Sequence, residues 1–340
     1  VQEVQILHSR MFIWPGIHTE AGENVRVLSP ETLRVFVLTD RPCIPIARHV
    51  AMSLQQARFD VSGGAAPASK SLPKPPAMAQ LKSRLDALGP TGVAVVAVGG
   101  TATLHTGVRL AGERPLFLVP TTLRSQIDAS VGGSSCAQLT VPWRPPRAVF
   151  SDPTLLRDLP LREFMAGLAE AVKCAMVQDP DLFGFMESSA GKIRDRNPAI
   201  LEELIHRGAT VKAAAIASPS PGPSARATLR YGQLVGGAIE RLAGAAILHG
   251  EALAVGMEAE AFLAHSLGWA SGEVIQSQNR LLKAMGLPTR AKGLPADRLA
   301  QPILARGIPR PDLPDSIGHA RGPADVKPEL LKKAIAGITK

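Results

Sequence analysis

Two groups of residue types in this 340-residue chain could do chemistry. The first combines an imidazole, a carboxylate and cations. His249 opens the run His249-Gly250-Glu251 after a turn at Gly244, so its ring stands where a helix begins and can face a cleft. Glu170 and Lys173 lie three residues apart in the amphipathic stretch 161–177, a spacing that puts both on one helix face. Lys212 lies in a second helical stretch, 201–216. Such a set suffices for acid-base work or for polarising a carbonyl. In the simpler alternative, Glu170 pairs with Lys173 and His249 caps its helix.

The second group sits after apolar runs. Asp40 ends Arg34-Val-Phe-Val-Leu-Thr-Asp40, Gly99-Gly100 ends Val93-Ala-Val-Val-Ala-Val-Gly-Gly100, and Thr121-Thr122 ends Leu116-Phe-Leu-Val-Pro-Thr-Thr122. Polar residues at the ends of buried parallel strands are where an open α/β sheet meets its ligand, and a dinucleotide fits there. A glycine pair lets backbone approach phosphate oxygens, though it also serves as ordinary turn chemistry. The full six-residue dinucleotide fingerprint is absent. Gly132-Gly133, after Asp128-Ala-Ser-Val, is a second nest of the same kind.

The elements that must position these residues change character along the chain. Strand and helix alternate in the first half, with helices expected over 46–57 and 78–88 and a loop over 62–76. Helical patterns dominate from Pro153, with further helices expected over 227–242, 250–267 and 274–285, then an irregular Pro-rich run and a last helix over 328–336. The boundary falls near 152–160. The expected architecture is α/β followed by α: an open parallel-sheet, Rossmann-like domain over 1–155 and an all-helical domain over 156–340, with a cleft between them.

Bulk properties exclude several function classes. Hydrophobic residues make up 45% and charged residues 20%, a globular balance, and no apolar run reaches the roughly 18 residues of a membrane span. The net charge of +9 is spread along the chain and only one Tyr is present, so nucleic acid is not the expected partner. A basic surface, with some charge lining a pocket for an anionic small molecule, accounts for it. Three scattered cysteines and no leader pattern favour a reducing cytoplasm.

Val119-Pro-Thr-Thr-Leu123 with Asp128-Ala-Ser-Val-Gly-Gly133, Gly167-Leu-Ala-Glu-Ala-Val-Lys173, Leu248-His-Gly-Glu-Ala252 with Gly256-Met257, and Gly286-Leu-Pro288 follow one another in a distinctive order. In these motifs the chain resembles the 3-dehydroquinate synthases, within the sugar-phosphate cyclases, from about Val35 to Pro288. The resemblance implies an NAD-binding α/β domain and a helical domain holding a divalent metal, zinc or cobalt. It also implies a homodimer, and a reaction of transient oxidation, phosphate elimination, re-reduction and ring closure. Asp40, Lys70, Gly99, Gly100, Thr121 and Thr122 match cofactor positions. Glu170, Gln233 and His249 occupy the metal positions, and Lys173, Lys212, Arg226 and Asp128 match phosphate or acid-base positions.

The pattern also departs from the family. Gln233 stands where the family has a histidine ligand, and Gly237 replaces the second histidine of that motif. Pro67, Thr101 and His105 stand at cofactor positions held by Glu, Gly and Asp, and Ser134 and Arg230 at substrate positions held by Lys and Asn. An amide is a weaker zinc donor than an imidazole. Three readings follow: a repurposed cyclase in a specialised natural-product pathway acting on a non-standard, even non-phosphorylated, substrate; a sugar-phosphate cyclase keeping NAD and metal through altered ligands; and a non-catalytic homologue that binds a ligand or partner. The first two require cofactors to different degrees, and in the first neither need be retained.

Overall fold

The structure is a computed structural model and describes residues 2–66, 73–132, 144–218 and 220–340. The chain divides into two compact units. One ends at Leu159 and takes in Leu201–Ala209; the other comprises Pro160–Ile200 and everything from Thr210.

The first unit is organised by a seven-stranded sheet. Its strands are β1 (Gln2–Ile6), β2 (Ser9–Ile13), β3 (Arg34–Asp40), β4 (Asp60–Ala66), β5 (Val93–Gly99), β6 (Leu116–Pro120) and β7 (Ala148–Ser151), in the order β1-β2-β7-β6-β5-β3-β4. Among the described residues, β1 and β2 pair antiparallel and the other neighbours pair parallel. The α-helices α1 (Ala21–Leu28), α2 (Ile44–Gln56), α3 (Pro75–Asp86) and α4 (Thr101–Ala111) belong to this unit.

The unbroken apolar runs are explained by burial on both sheet faces. Val35, Val37, Val96, Val98, Phe117, Val119 and Phe150 turn one way, into a core with Val25 of α1 and Val50 and Leu54 of α2. Their strand neighbours Phe36, Leu38, Val95, Ala97 and Leu118 are equally buried. The Phe117 and Phe150 rings stack at 5.9 Å. The expected loop over 62–76 begins too early, because Ser62–Ala66 belongs to β4, laid parallel along β3. Gly, Ala and Ser carry little strand propensity, and the ladder with β3 supplies what the side chains do not.

The second unit contains α5 (Leu161–Val177), α6 (Pro180–Ser188), α7 (Ala190–Arg194), both ends of α8 (Pro198–Ala217), α9 (Pro223–Arg230), α10 (Gln233–Ala243), α11 (His249–Ser266), α12 (Gly272–Ala284), α13 (Ala296–Leu304) and α14 (Pro328–Thr339). A short antiparallel hairpin, β8 (Leu313–Ser316) with β9 (His319–Arg321), occupies the Pro-rich run expected to be irregular. Helix α5 is buried without a break from Gly167 to Val177, so it is a central helix and not a surface amphipathic one. The single helix expected over 227–242 is two. The break falls at Gly232, whose φ of +77° is left-handed, and the buried Glu260 carboxylate accepts the Gly232, Leu234 and Val235 N–H groups at the start of α10. Among the described residues, no helix is long and apolar enough to cross a membrane.

Candidate functional site

In the helical unit the site is built where α11 begins. Gly250 presses its backbone against α5: a Cβ there would lie 1.8 Å from the Ala166 carbonyl oxygen. The contact is clamped by Arg162 of α5, which donates from Nε and Nη2 to the two Glu251 oxygens at 2.6 and 2.7 Å. Glu251 in turn accepts the Leu248 N–H at 2.8 Å, which caps α11. With Gly250 seated on Ala166, His249 comes beside Glu170, one turn further along α5. On its other side α11 packs closely on α10: a Cβ at Gly256 would lie 2.0 Å from the Gly232 carbonyl oxygen.

The charges converge on Glu170. Its Oε2 lies 2.5 Å from Lys173 Nζ and its Oε1 3.3 Å from His249 Nε2. Glu170 and Lys173 are 1% and 0% exposed, and Lys212 on α8 is buried as well. Burial alone would raise the Glu170 pKa. The charge of Lys173, the His249 contact and the charge of Lys212 outweigh it and hold the carboxyl well below its usual range, so Glu170 is ionised. The opposite ring nitrogen, His249 Nδ1, lies 3.0 Å from Glu240 Oε2 on α10. Glu170, Lys173, Lys212 and His249, separated by up to 79 residues, thus share one buried locus.

Arg226 has partners of its own. Its Nε and Nη2 donate to both oxygens of buried Asp312 at 2.9 and 2.6 Å, and Nη1 donates to the Pro221 carbonyl at 2.8 Å. Such a bidentate pair neutralises the guanidinium within the protein. Gln233 is the first residue of α10.

A metal can be tested against this donor set. Two ligands on a tetrahedral zinc with bonds of about 2.1 Å are separated by roughly 3.3–3.5 Å. Glu170 Oε1 and His249 Nε2 have that spacing, and both fit two corners of such a site. The Glu170 Oε2 and Lys173 Nζ atoms, although in ionic contact, make no well-directed hydrogen bond. Among the described residues no group of three or more His, Cys, Asp or Glu side chains converges as a metal site.

In the α/β unit, Asp40, Gly99, Gly100, Thr121 and Thr122 all fall at or just beyond the carboxyl ends of β3, β5 and β6. Asp40 is engaged within the chain: Oδ2 accepts from Thr103 Oγ1 at 2.6 Å, and Oδ1 accepts the Cys43 N–H at 3.2 Å. Thr121 Oγ1 lies 3.3 Å from Cys43 Sγ, and the Thr122 N–H and Oγ1 bond Ser125 Oγ. Gly100 precedes α4 with ordinary backbone angles, and a Cβ there would meet only Thr122, at 3.5 Å or more. Among the described residues nothing requires glycine at that point. Bare backbone at the start of an eleven-residue helix, on the carboxyl edge of the sheet, fits a pyrophosphate. Asp128 is buried in the helical turn Ser125–Ala129, with Arg124 Nε 3.9 Å away. His105 is pushed down to about 4, by burial first and then by the Arg124 charge, with Asp128 opposing, and is neutral at pH 7. Lys70 and Gly133 lie outside the described residues.

Sequence reasoning missed Glu240, Asp312, Thr103 and Glu260. Their types carried no motif, and only packing pairs them with His249, Arg226, Asp40 and the start of α10.

A family model for the 3-dehydroquinate synthase C-terminal domain matches residues 167–305. Across 352 aligned residues the chain is 30% identical to the 3-dehydroquinate synthase of Symbiobacterium thermophilum, covering 96% of this chain and 97% of that one. Two solved structures share the fold. One is the 2-epi-5-epi-valiolone synthase of Streptomyces hygroscopicus subsp. jinggangensis 5008 with NAD+ and Zn2+ bound, with a TM-score of 0.83, 21% identity and coverage of 99% and 98% of the two chains. The other is 2-deoxy-scyllo-inosose synthase complexed with carbaglucose-6-phosphate, NAD+ and Co2+, with a TM-score of 0.84, 23% identity and 99% coverage of both chains.

Proposed function

This chain belongs to the 3-dehydroquinate synthase family, and from that premise we propose that it is a ring-forming lyase of a specialised pathway, acting on a substrate other than the heptulosonate phosphate of the housekeeping enzyme. The observation that carries the reading is the Arg226–Asp312 pair. The cation that the resemblance assigns to a phosphate already has its fork filled by a carboxylate of the same chain. A substrate without phosphate asks nothing of that fork.

The remaining groups can still close a ring. Lys173 and Lys212 keep Glu170 ionised, so the carboxylate can accept a hydrogen bond from a substrate hydroxyl. His249 can take or return a proton at Nε2 next to it. In an aldol-type closure His249 Nε2 would take the proton from the carbon next to one carbonyl, and the enolate carbon so formed would bond to a second carbonyl carbon of the same molecule. The resulting alkoxide, held by an ammonium group, would take the proton back. Holding the two reacting ends of one molecule together supplies much of the acceleration such a closure needs.

A second reading is a cyclase that keeps NAD and metal, and the 3.3 Å spacing of Glu170 Oε1 and His249 Nε2 favours it. Glu170 and His249 would then hold the metal, and Asp40, Gly100 and Thr122 the nucleotide. When bound, the metal polarises a carbonyl and NAD accepts and returns a hydride.

The test is to incubate the purified protein with heptulosonate phosphate, NAD+ and Zn2+ or Co2+ and to follow inorganic phosphate. The first reading expects no release above the protein-free control and, in Asp312→Asn, at least tenfold tighter binding of inorganic phosphate. Sustained release by the wild type refutes it and supports the second.

A further inference from the structure

We infer that Arg124 anchors an anion-binding subsite in the α/β unit, one that takes the carboxylate group of a small hydroxylated ligand. Arg124 lies just past the carboxyl end of β6, between Thr122 and the helical turn Ser125–Ala129. Its backbone is locked there. The Thr122 N–H donates to Ser125 Oγ at 3.0 Å, the Ser125 N–H donates to Thr122 Oγ1 at 3.2 Å, and Leu123 and Ser125 on either side are buried. The guanidinium is thus carried by a fixed turn on the edge of the sheet where α/β proteins bind their ligands.

The donors of this arginine are unused. A guanidinium carries five N–H donors and no acceptor. Among the described residues none of them makes a hydrogen bond, although Nε is shut off from solvent. Asp128 Oδ2 lies 3.9 Å from Nε, an ionic contact beyond hydrogen-bond range. Leaving donors unmade away from water is costly, and the cost is relieved when a ligand brings the acceptor. Arg226 differs, because Asp312 already fills its fork. The Arg124 side chain is 26% exposed, and with Nε closed off its open edge is the pair of Nη groups.

The local charge selects the ligand. The buried Asp128 carboxylate offsets part of the Arg124 charge, and His105, which feels both, is neutral at pH 7. These three groups leave less than one net positive charge, too little for a phosphate dianion. A carboxylate monoanion matches it, and its two oxygens meet the two parallel N–H groups of the open edge. Asp128 beside it can accept from a ligand hydroxyl, which makes a hydroxy acid the fitting class. Assigning that acid as the substrate rests on the first reading above; the subsite itself does not.

The experiment is isothermal titration calorimetry on the full chain in Tris chloride near neutral pH, with no metal or nucleotide added. The probes are quinate, a hydroxylated ring bearing one carboxylate; myo-inositol, a hydroxylated ring without one; and inorganic phosphate. Quinate should bind the wild type, myo-inositol should not, and phosphate should bind more weakly than quinate. Arg124→Met should weaken quinate by about tenfold or more, the loss of a charge-assisted contact. Arg124→Lys should fall in between, because an ammonium keeps the charge without the paired geometry. Thermal melts verify folding, and the Lys variant carries the test should Met perturb the turn. In 15N-arginine-labelled protein, the Nε–H signal that disappears in Arg124→Met should move with quinate and stay in place with myo-inositol. Absence of quinate binding, equal binding by a folded Met variant, or a preference for phosphate overturns the inference and leaves the first reading standing. Phosphate release in the assay above overturns that reading and leaves the subsite standing.

Discussion

Replacing Lys173 by Met is the sharpest perturbation of the buried cluster. At 2.5 Å and an effective dielectric of 20, the attraction between Lys173 and Glu170 is roughly 6–7 kcal/mol. Desolvating two ions costs several kcal/mol each, so the intact pair contributes little net stability. Removing one partner is different, because it leaves Glu170 buried and charged. Breaking such a pair typically costs about 3–5 kcal/mol. Lys212 and His249 still face Glu170, so Lys173→Met should fall near the low end, at about 3 kcal/mol. The double variant Glu170→Gln/Lys173→Met removes both charges and should return to within about 1 kcal/mol of the wild type. Guanidinium unfolding followed by far-UV ellipticity measures all members of the cycle. A cost below about 1 kcal/mol for the single variant, or a double variant no more stable than the single, refutes the claim that the pair is buried and mutually compensating.

Two further outcomes follow from the packing. Burial pushes Glu260 up to about 7 against the three backbone N–H groups that lower it. Its folded pKa thus exceeds the unfolded value near 4.5, so the folded protein binds the extra proton between the two. That contribution is present below about pH 4.5 and is lost as pH rises to about 7, on the order of 3 kcal/mol; Glu260→Gln should flatten this part of the stability profile, and an unchanged slope would contradict the assignment. Gly250→Ala should cost at least the 1–3 kcal/mol typical of overpacking, since its Cβ would meet backbone and no flexible side chain. The same variant should separate His249 from Glu170, shifting the His249 15N signals. Wild-type melting with wild-type shifts would show that α11 does not rest on Ala166.

Much of the architecture was legible in the sequence because buried parallel strands require unbroken β-branched runs and helix ends require particular residues. Arg34–Asp40 and Leu161–Val177 emerge with the boundaries their patterns predict. Where packing overrode propensity, the sequence misled. Gly63 and Gly64 sit in an edge strand, and the helix expected over 227–242 is broken by a left-handed Gly232 under a carboxylate 28 residues away.

The sequence also determined which residue types are available: Glu170 and Lys173 three apart on α5, and His249 at the mouth of α11. A local pattern determines a spacing and a face, and no more. Tertiary structure decided what those groups meet. Gly250 against Ala166 sets His249 beside a carboxylate 79 positions earlier, Glu240 reaches the far nitrogen of its ring, and Asp312 closes on Arg226. These partnerships depend on distances between helices, which are fixed by how closely backbones can approach, and no periodicity along a single chain encodes them.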